Sequence, residues 1–138
     1  MSNRTEGEFK LVMNERFYEY LMALGLPSEK AQVVDSLKPT LIITKNEKEI
    51  TITTKLDTHS TTSVLKIDQT VEEKLAALDV VQSYTTVGDD DITIDSIGAK
   101  GERGRRHFDF FENGLIMTLS SDMAGIPEAT RFYRRLTN

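Results

Sequence analysis

Alternation of apolar and polar residues is the commonest pattern along the chain. In residues 7–14 it places Phe9, Leu11 and Met13 on one side, which predicts a first strand with one buried face. After Pro39 similar short segments follow one another to the end of the sequence. The further predicted strands are residues 40–45, 49–55, 60–67, 80–87, 92–97, 105–111, 115–120 and 129–136. Because helices do not alternate with these strands, the pattern favours an antiparallel barrel or sandwich over a βαβ fold.

One segment has helical spacing instead. From Glu15 the apolar positions recur at i, i+3, i+4 and i+7, which predicts a helix that ends at Gly25. Ser28 is expected to cap a second helix, with Ala31, Val34 and Leu37 on one side. Pro39 then prevents its continuation. A helix-turn-helix over residues 15–37 is therefore predicted.

Turn residues separate the predicted strands. Asn46-Glu47-Lys48 and Gly88-Asp89-Asp90 are typical of loops between strands. Asn113-Gly114 is the strongest hairpin signal in the chain. These turns support consecutive, hairpin-connected strands.

Composition and charge narrow the class of protein. With 138 residues the chain suits one domain, residues 1–138, and 38% hydrophobic with 28% charged residues is an ordinary globular composition. The net charge of −5 argues against a general nucleic-acid binder. The chain has no cysteine, which excludes disulfides, thiolate metal sites and cysteine nucleophiles. No apolar run approaches the roughly 18 residues of a membrane span, and no secretory signal is visible. We expect a cytoplasmic protein, with the nucleus also accessible.

Four motifs in order resemble the intracellular lipid-binding proteins, the family of fatty-acid- and retinoid-binding proteins. G-x-F-K-L at residues 7–11 looks like that family's opening G-x-W-K-L, and residues 17–26 (FYEYLMALGL) are similar to its F-x-x-Y-x-x-x-L-G-V. L-K-P-T-L-I-I at residues 37–43 and T-R-F-Y at residues 130–133 match two further motifs. Each motif is weak alone, but four at the right spacing are together specific.

The resemblance implies an all-β fold, a ten-stranded antiparallel up-and-down β-barrel with the helix-turn-helix as a lid between strands 1 and 2. It implies a monomer that binds a long-chain fatty acid or a similar hydrophobic carboxylate inside the barrel. Ten strands enclose more space than side chains alone need to fill. A retinoid in place of a fatty acid stays open, as does a transient membrane or protein contact for ligand delivery.

In this family an arginine and a tyrosine of the last strand typically meet the ligand carboxylate. The resemblance assigns these roles to Arg131 and Tyr133, which are two residues apart and so share a face of the strand. A guanidinium fork and a phenol hydroxyl would then converge on one anion.

A second arginine often contributes from a nearby strand. One alignment through the Asn113-Gly114 turn places Arg106 inward with Phe108 and Phe110. This alternation of inner and outer residues is the one expected of a strand with an apolar inner face. An alignment with one gap puts Phe108 at the arginine position instead, and both stay open here.

The resemblance also suggests which residues line the cavity or its portal. Thr58 stands where the family usually has a portal phenylalanine, so ligand uptake or choice is expected to differ. The full set is Phe9, Phe17, Tyr20, Val33, Val34, Leu37, Thr58, Phe108 and Phe110.

Other chemistries find little support in the sequence. There is no G-x-S-x-G, phosphate-binding glycine loop or H-E-x-x-H motif, and the neighbouring Glu72 and Glu73 point to opposite strand faces. His59 and His107 have no partner at metal-ligand spacing along the chain. We therefore expect no cofactor, no metal and no enzymatic activity. A barrel that acts as a protein-interaction module, or an unrecognised hydrolase of bound lipid, remains as the alternative.

Overall fold

Ten antiparallel strands and two short helices form the part of the chain that the computed structural model describes, residues 4–74 and 80–136. In chain order they are β1 (Gly7–Glu15), α1 (Phe17–Ala23), α2 (Ser28–Ser36), β2 (Thr40–Lys45), β3 (Glu49–Lys55), β4 (Ser60–Lys66), β5 (Thr70–Lys74), β6 (Val80–Val87), β7 (Asp91–Ile97), β8 (Arg103–Phe111), β9 (Gly114–Ser121) and β10 (Ala129–Arg135). Within the described ranges no helix has the length and apolar content to cross a bilayer.

The strands form one sheet that curls into a nearly closed barrel. Its order is β4-β3-β2-β1-β10-β9-β8-β7-β6-β5, so most chain neighbours pair as hairpins and β1 pairs with β10. The two edge strands, β4 and β5, contact each other without a ladder, beside a single bridge between Ile67 and Thr85. The ten-stranded up-and-down barrel with helices between strands 1 and 2 is confirmed.

One strand is not predicted by the apolar pattern. In β5 the sequence Thr-Val-Glu-Glu-Lys offers a single apolar residue, Val71, and no visible alternation. Its inner position next to Val71 is taken by Glu73, which is buried. A buried carboxylate therefore hides this strand from a search for apolar residues at period two.

A bulge in β1 changes which side chains face the interior. Leu11 pairs with Tyr133 and is buried, but the register shifts before Met13, so that Asn14 pairs with Arg131. The alternation predicted for the first strand fails at Met13, which is 46% exposed. The extra residue turns every later side chain of the strand to the opposite face.

The interior changes in character along the barrel. The helices connect the end of β1 to the start of β2, so they lie at that end, the lid end. The inner positions there are mostly polar, and they include Asn14, Ser63, Glu73, Ser83, Ser96 and Arg131. Away from the lid they are apolar and buried, namely Phe9, Ile43, Ile50, Leu65, Ile92, Phe108, Phe110 and Leu115.

Gly25 ends α1 as predicted. Its φ of 106° lies in the left-handed region, where glycine has no steric cost. Leu26 donates its backbone N–H to the carbonyl of Leu21 at 3.1 Å, and Gly25 donates to Met22 at 3.0 Å. This pair of bonds is a Schellman motif, which satisfies carbonyls at the helix end and turns the chain sharply.

The second helix differs from the prediction at both ends. Pro27 is the N-cap and no side chain caps the helix; the hydroxyl of Ser28 instead lies 2.8 Å from the hydroxyl of Tyr18 on α1. The helix ends at Ser36, and Leu37 is extended at the C-cap.

The hairpin between β8 and β9 is shifted by one residue from the predicted turn. Phe111 pairs with Gly114, so the two turn residues are Glu112 and Asn113. Gly114 lies within β9, where a Cβ atom would clash with the carbonyl oxygen of Tyr133. The glycine is therefore required by the close approach of β10 rather than by the turn.

Candidate functional site

Arg131 lies on the inner face of β10 at the lid end. Its Nε–H donates to the side-chain oxygen of Asn14 at 2.9 Å, and its guanidinium carbon lies 4.1 Å from the ring centroid of Phe17 on α1. The guanidinium is also 5.7 Å from the ring of Tyr133. Among the described residues no carboxylate forms an ion pair with Arg131. Its charge is thus held in place by neutral groups only.

Tyr133 carries a buried hydroxyl group beside this cation. The residue is 5% exposed, and its hydroxyl has no hydrogen-bond partner among the described residues. Burial raises the pKa of Tyr133, and the nearby charge of Arg131 only partly opposes this. The phenol keeps its proton at neutral pH, so it can donate a hydrogen bond that nothing in the described chain accepts.

Arg106 also faces inward, in register with Phe108 and Phe110, but its guanidinium is already engaged. Nη2 donates to Oε1 of Glu73 at 2.5 Å and Nη1 donates to Oε2 at 3.2 Å. This is a two-pronged ion pair between β8 and β5. The side chains of Arg106 and Glu73 are 20% and 4% exposed.

Glu73 is a site residue that the sequence did not single out. Burial raises the pKa of Glu73, but the charge of Arg106 and hydrogen bonds from Arg106, Ser83 and Ser63 outweigh burial and hold the pKa below its usual value. The Ser83 hydroxyl donates to Oε1 at 2.8 Å. The available signal was the position of Glu73 two residues after the apolar Val71, which places both side chains on one face of β5.

The predicted aromatic positions form two groups. Phe9 and Phe110 are in edge-to-face contact at 5.6 Å, and Phe108 stacks with Phe110 at 6.3 Å, all three buried away from the lid. Phe17 and Tyr20 of α1 stack at 6.5 Å above the polar end. Burial raises the pKa of Tyr20, and the charge of Arg106 lowers it less. The aromatic residues thus line both ends of the interior.

Three other predicted portal positions lie on the surface or at its margin. Val33 is 60% exposed, because it lies about 200° around α2 from the buried Ala31, whereas Val34 packs against the core. Val33 therefore points away from the core, and its assignment to the cavity or portal stays a prediction. Leu37 lies beyond α2 and is half-buried, and Thr58 is exposed in the turn between β3 and β4.

A small polar cluster lies on the outer face of β7 and β8. His107 has its Nε2 3.1 Å from a carboxylate oxygen of Asp109 and 3.9 Å from one of Asp91, and its Nδ1 lies 2.8 Å from the Thr93 hydroxyl. The sequence expectation that His107 has no clustered partner is wrong, because Asp109 lies two residues along the same strand and Asp91 lies opposite on β7. The cluster is separated from the interior by the sheet.

Solved structures share this architecture over almost the whole chain, whereas no protein-family model matches it. A fatty-acid-binding protein from brain tissue of Drosophila melanogaster superimposes with a TM-score of 0.81 at 25% identity, over 92% of this chain and 95% of that one. A Schistosoma mansoni fatty acid binding protein in complex with arachidonic acid gives 0.87 at 19% identity, over 98% of both chains. The REP1-NXSQ fatty acid transporter gives 0.87 at 18% identity, over 99% of both chains. The chain therefore has the fold of the intracellular lipid-binding proteins, as its four sequence motifs predict.

Proposed function

We propose that this chain is an intracellular carrier that binds one long-chain fatty acid, or a similar hydrophobic carboxylate, non-covalently inside the barrel. The observation that carries the proposal is the pairing of Arg131, a cation without an anionic partner in the described chain, with the unpartnered buried hydroxyl of Tyr133. Both groups are donors, and both are on the inner face of β10. A carboxylate would accept from both at once.

The energetics favour an anion over a neutral headgroup. A buried donor without an acceptor costs about 1–3 kcal/mol, and a ligand oxygen at Tyr133 would recover that cost. Hydrogen bonds to the guanidinium of Arg131 are charge-assisted and contribute about 1.5–3 kcal/mol. The stacking of Phe17 on Arg131 keeps water from one face of the cation, which strengthens its interaction with a ligand.

The apolar half of the interior suits a hydrocarbon tail. It includes Phe9, Phe108 and Ile94, each at most 1% exposed, and burying apolar ligand atoms among such side chains is favoured by about 25 cal/mol per Å² of buried area. Arg106 is 20% exposed although it faces inward, so its side chain is less closely packed than those of the apolar half. The tail of a ligand whose headgroup is at Arg131 would pass beside Arg106.

Arg106 contributes less to binding the ligand headgroup than Arg131 does. Glu73 accepts from both of its Nη atoms, so a ligand carboxylate would need to displace that anion or share the remaining N–H groups. The comparison proteins are named as a fatty acid transporter and a fatty acid binding protein, which supports a fatty acid as the ligand.

The test replaces Arg131 and compares two ligands that differ only in charge. Arg131→Gln should weaken binding of hexadecanoic acid about tenfold or more and scarcely affect hexadecanol. Arg134→Gln is the matched control, because Arg134 is exposed on the outer face of the same strand. Equal losses for acid and alcohol would refute the headgroup site.

A second measurement tests whether the chain binds a lipid at all. Delipidated protein should regain one fatty acid per chain in native mass spectrometry. Retinoic acid, which presents the same carboxylate, is the competitor that separates a retinoid carrier from a fatty-acid carrier. A barrel that takes up neither ligand would instead indicate a protein-interaction module.

A further inference from the structure

We infer that Glu73 is a specificity-determining residue that limits the ligand to a single anionic group. The inference rests on the proposed function. Two arginines, Arg106 and Arg131, face the interior, and Glu73 neutralises only the first. The chain itself thus supplies the counter-ion of one site and leaves the other for a ligand.

The carboxylate of Glu73 occupies Arg106 in the way a ligand would. Its two oxygens accept from Nη1 and Nη2, which is the geometry of bidentate carboxylate recognition. A second ligand carboxylate arriving at Arg106 would meet this fixed negative charge at short range. Ligands with two anionic groups are therefore disfavoured.

Neighbouring hydroxyl groups hold Glu73 in this position. The Ser83 hydroxyl donates to Oε1 and lies 2.8 Å from the hydroxyl of Ser96 on the adjacent strand. Glu73 is 4% exposed, and its companion Glu72 is exposed on the outer face. The buried carboxylate is thus part of an ordered polar network rather than a mobile surface group.

The two arginines are spaced so that one ligand can reach both. Arg106 pairs with Leu119, which pairs with Ala129, two residues from Arg131. Two strand spacings and two residues along the strand separate their Cα atoms by roughly 12 Å. Without the Glu73 carboxylate, Arg106 would bind the far carboxylate of a flexible α,ω-dicarboxylic acid while Arg131 binds the near one.

The experiment compares dicarboxylic acids, from decanedioic to hexadecanedioic acid, each with the monocarboxylic acid of equal length. Glu73→Gln should raise the ratio of dicarboxylate to monocarboxylate affinity about tenfold or more for at least one length. Glu72→Gln is the matched control and should leave every ratio unchanged. The double variant Glu73→Gln/Arg106→Gln, which removes both charges, should return the ratios to those of the unmodified chain.

The outcomes separate this inference from the proposed function. If the unmodified chain binds no monocarboxylic acid, the proposed function fails. If it binds them but Glu73→Gln leaves all ratios unchanged, the role of Glu73 is refuted and the carrier stands. The double variant tests the inference even if Glu73→Gln does not fold. It should keep monocarboxylate affinity within about threefold, and a tenfold loss would show that Arg106 binds the ligand directly.

Discussion

Arg131 donates its Nε–H to the side-chain oxygen of Asn14 on β1 across 2.9 Å, so two hydrogen bonds in series connect the proposed headgroup site to the helical lid. The amide nitrogen of Asn14 in turn donates to Asp35 near the end of α2, to its carboxylate at 3.1 Å and its backbone carbonyl at 3.3 Å. Asn14 therefore connects the cation on β10 to the second helix.

Replacing Asn14 should loosen the lid and the cation together. Asn14→Ala removes the acceptor of Arg131 and the donor to Asp35, and we expect faster hydrogen exchange in α2 and a fatty-acid affinity lower by about threefold to tenfold. Asn113→Ala, in an exposed turn, serves as the control. Unchanged exchange in α2 would show that this bond does not anchor the helix.

Tyr133→Phe should have opposite effects on stability and binding. The hydroxyl is buried without a partner in the unliganded protein, so its removal should leave the free energy of unfolding unchanged or raise it by about 1 kcal/mol. Affinity for a fatty acid should fall about fivefold, because the ligand loses one donor. Urea unfolding and calorimetric titration measure the two effects, with the exposed Tyr84→Phe as control. A clear loss of stability would show that the hydroxyl has a partner in solution.

Glu73 should make the free energy of unfolding depend on pH in the acidic range. Burial raises the pKa of Glu73, but the charge of Arg106 and the hydrogen bonds outweigh it, so the folded state prefers the ionised form. Its contribution is complete above the ordinary value of 4.5 and is lost as the pH falls through the lower folded-state pKa.

Urea unfolding over a range of pH tests this contribution. At neutral pH, Glu73→Gln should lower the free energy of unfolding by about 2–3 kcal/mol, because it leaves Arg106 unpaired. The difference from the unmodified chain should shrink below about pH 4.5, whereas the exposed Glu72→Gln should show no such trend. A difference that stays constant into acid would contradict the assignment.

The lid should control ligand exchange rather than barrel stability. The helices are short and bury few residues, so we expect them to open locally at a small part of the unfolding free energy. Bound ligand should slow hydrogen exchange in α1 and α2 more than in β1 and β10.

Replacing residues 25–28 by a longer Gly/Ser linker tests the same point kinetically. It removes the Schellman turn at Gly25 and should speed uptake and release of ligand together, with a smaller change in affinity. Rates that do not change in stopped-flow experiments would place the portal elsewhere.

Local sequence pattern predicts the barrel well because nine of the ten strands carry a signal of their own. Alternation, β-branched residues and the turns between segments locate these nine strands, and the period of two places Arg131 and Tyr133 on one face without further information. Helical spacing and Gly25 locate α1 in the same way. These features depend on neighbours within a few residues.

Features that depend on distant residues are not in the local pattern. The pair of Glu73 and Arg106 spans 33 positions and joins β5 to β8 across the interior. The bulge after Leu11 turns Asn14 inward, where strict alternation would turn it outward. Both decide the chemistry of the site, and both arise only when the strands assemble.

The pairing of β1 with β10 also constrains how the chain folds. Asn14 pairs with Arg131, 117 positions later, so the edge of β1 that faces β10 has no strand partner until β10 has been synthesised. Closing so large a loop costs conformational entropy before the contacts between the strands can compensate for it. This slows folding, as it does in other β-rich proteins. During synthesis the hairpins of β2–β4 and of β5–β9 can form in succession, but the two parts join and the arginine site is assembled only when β10 leaves the ribosome.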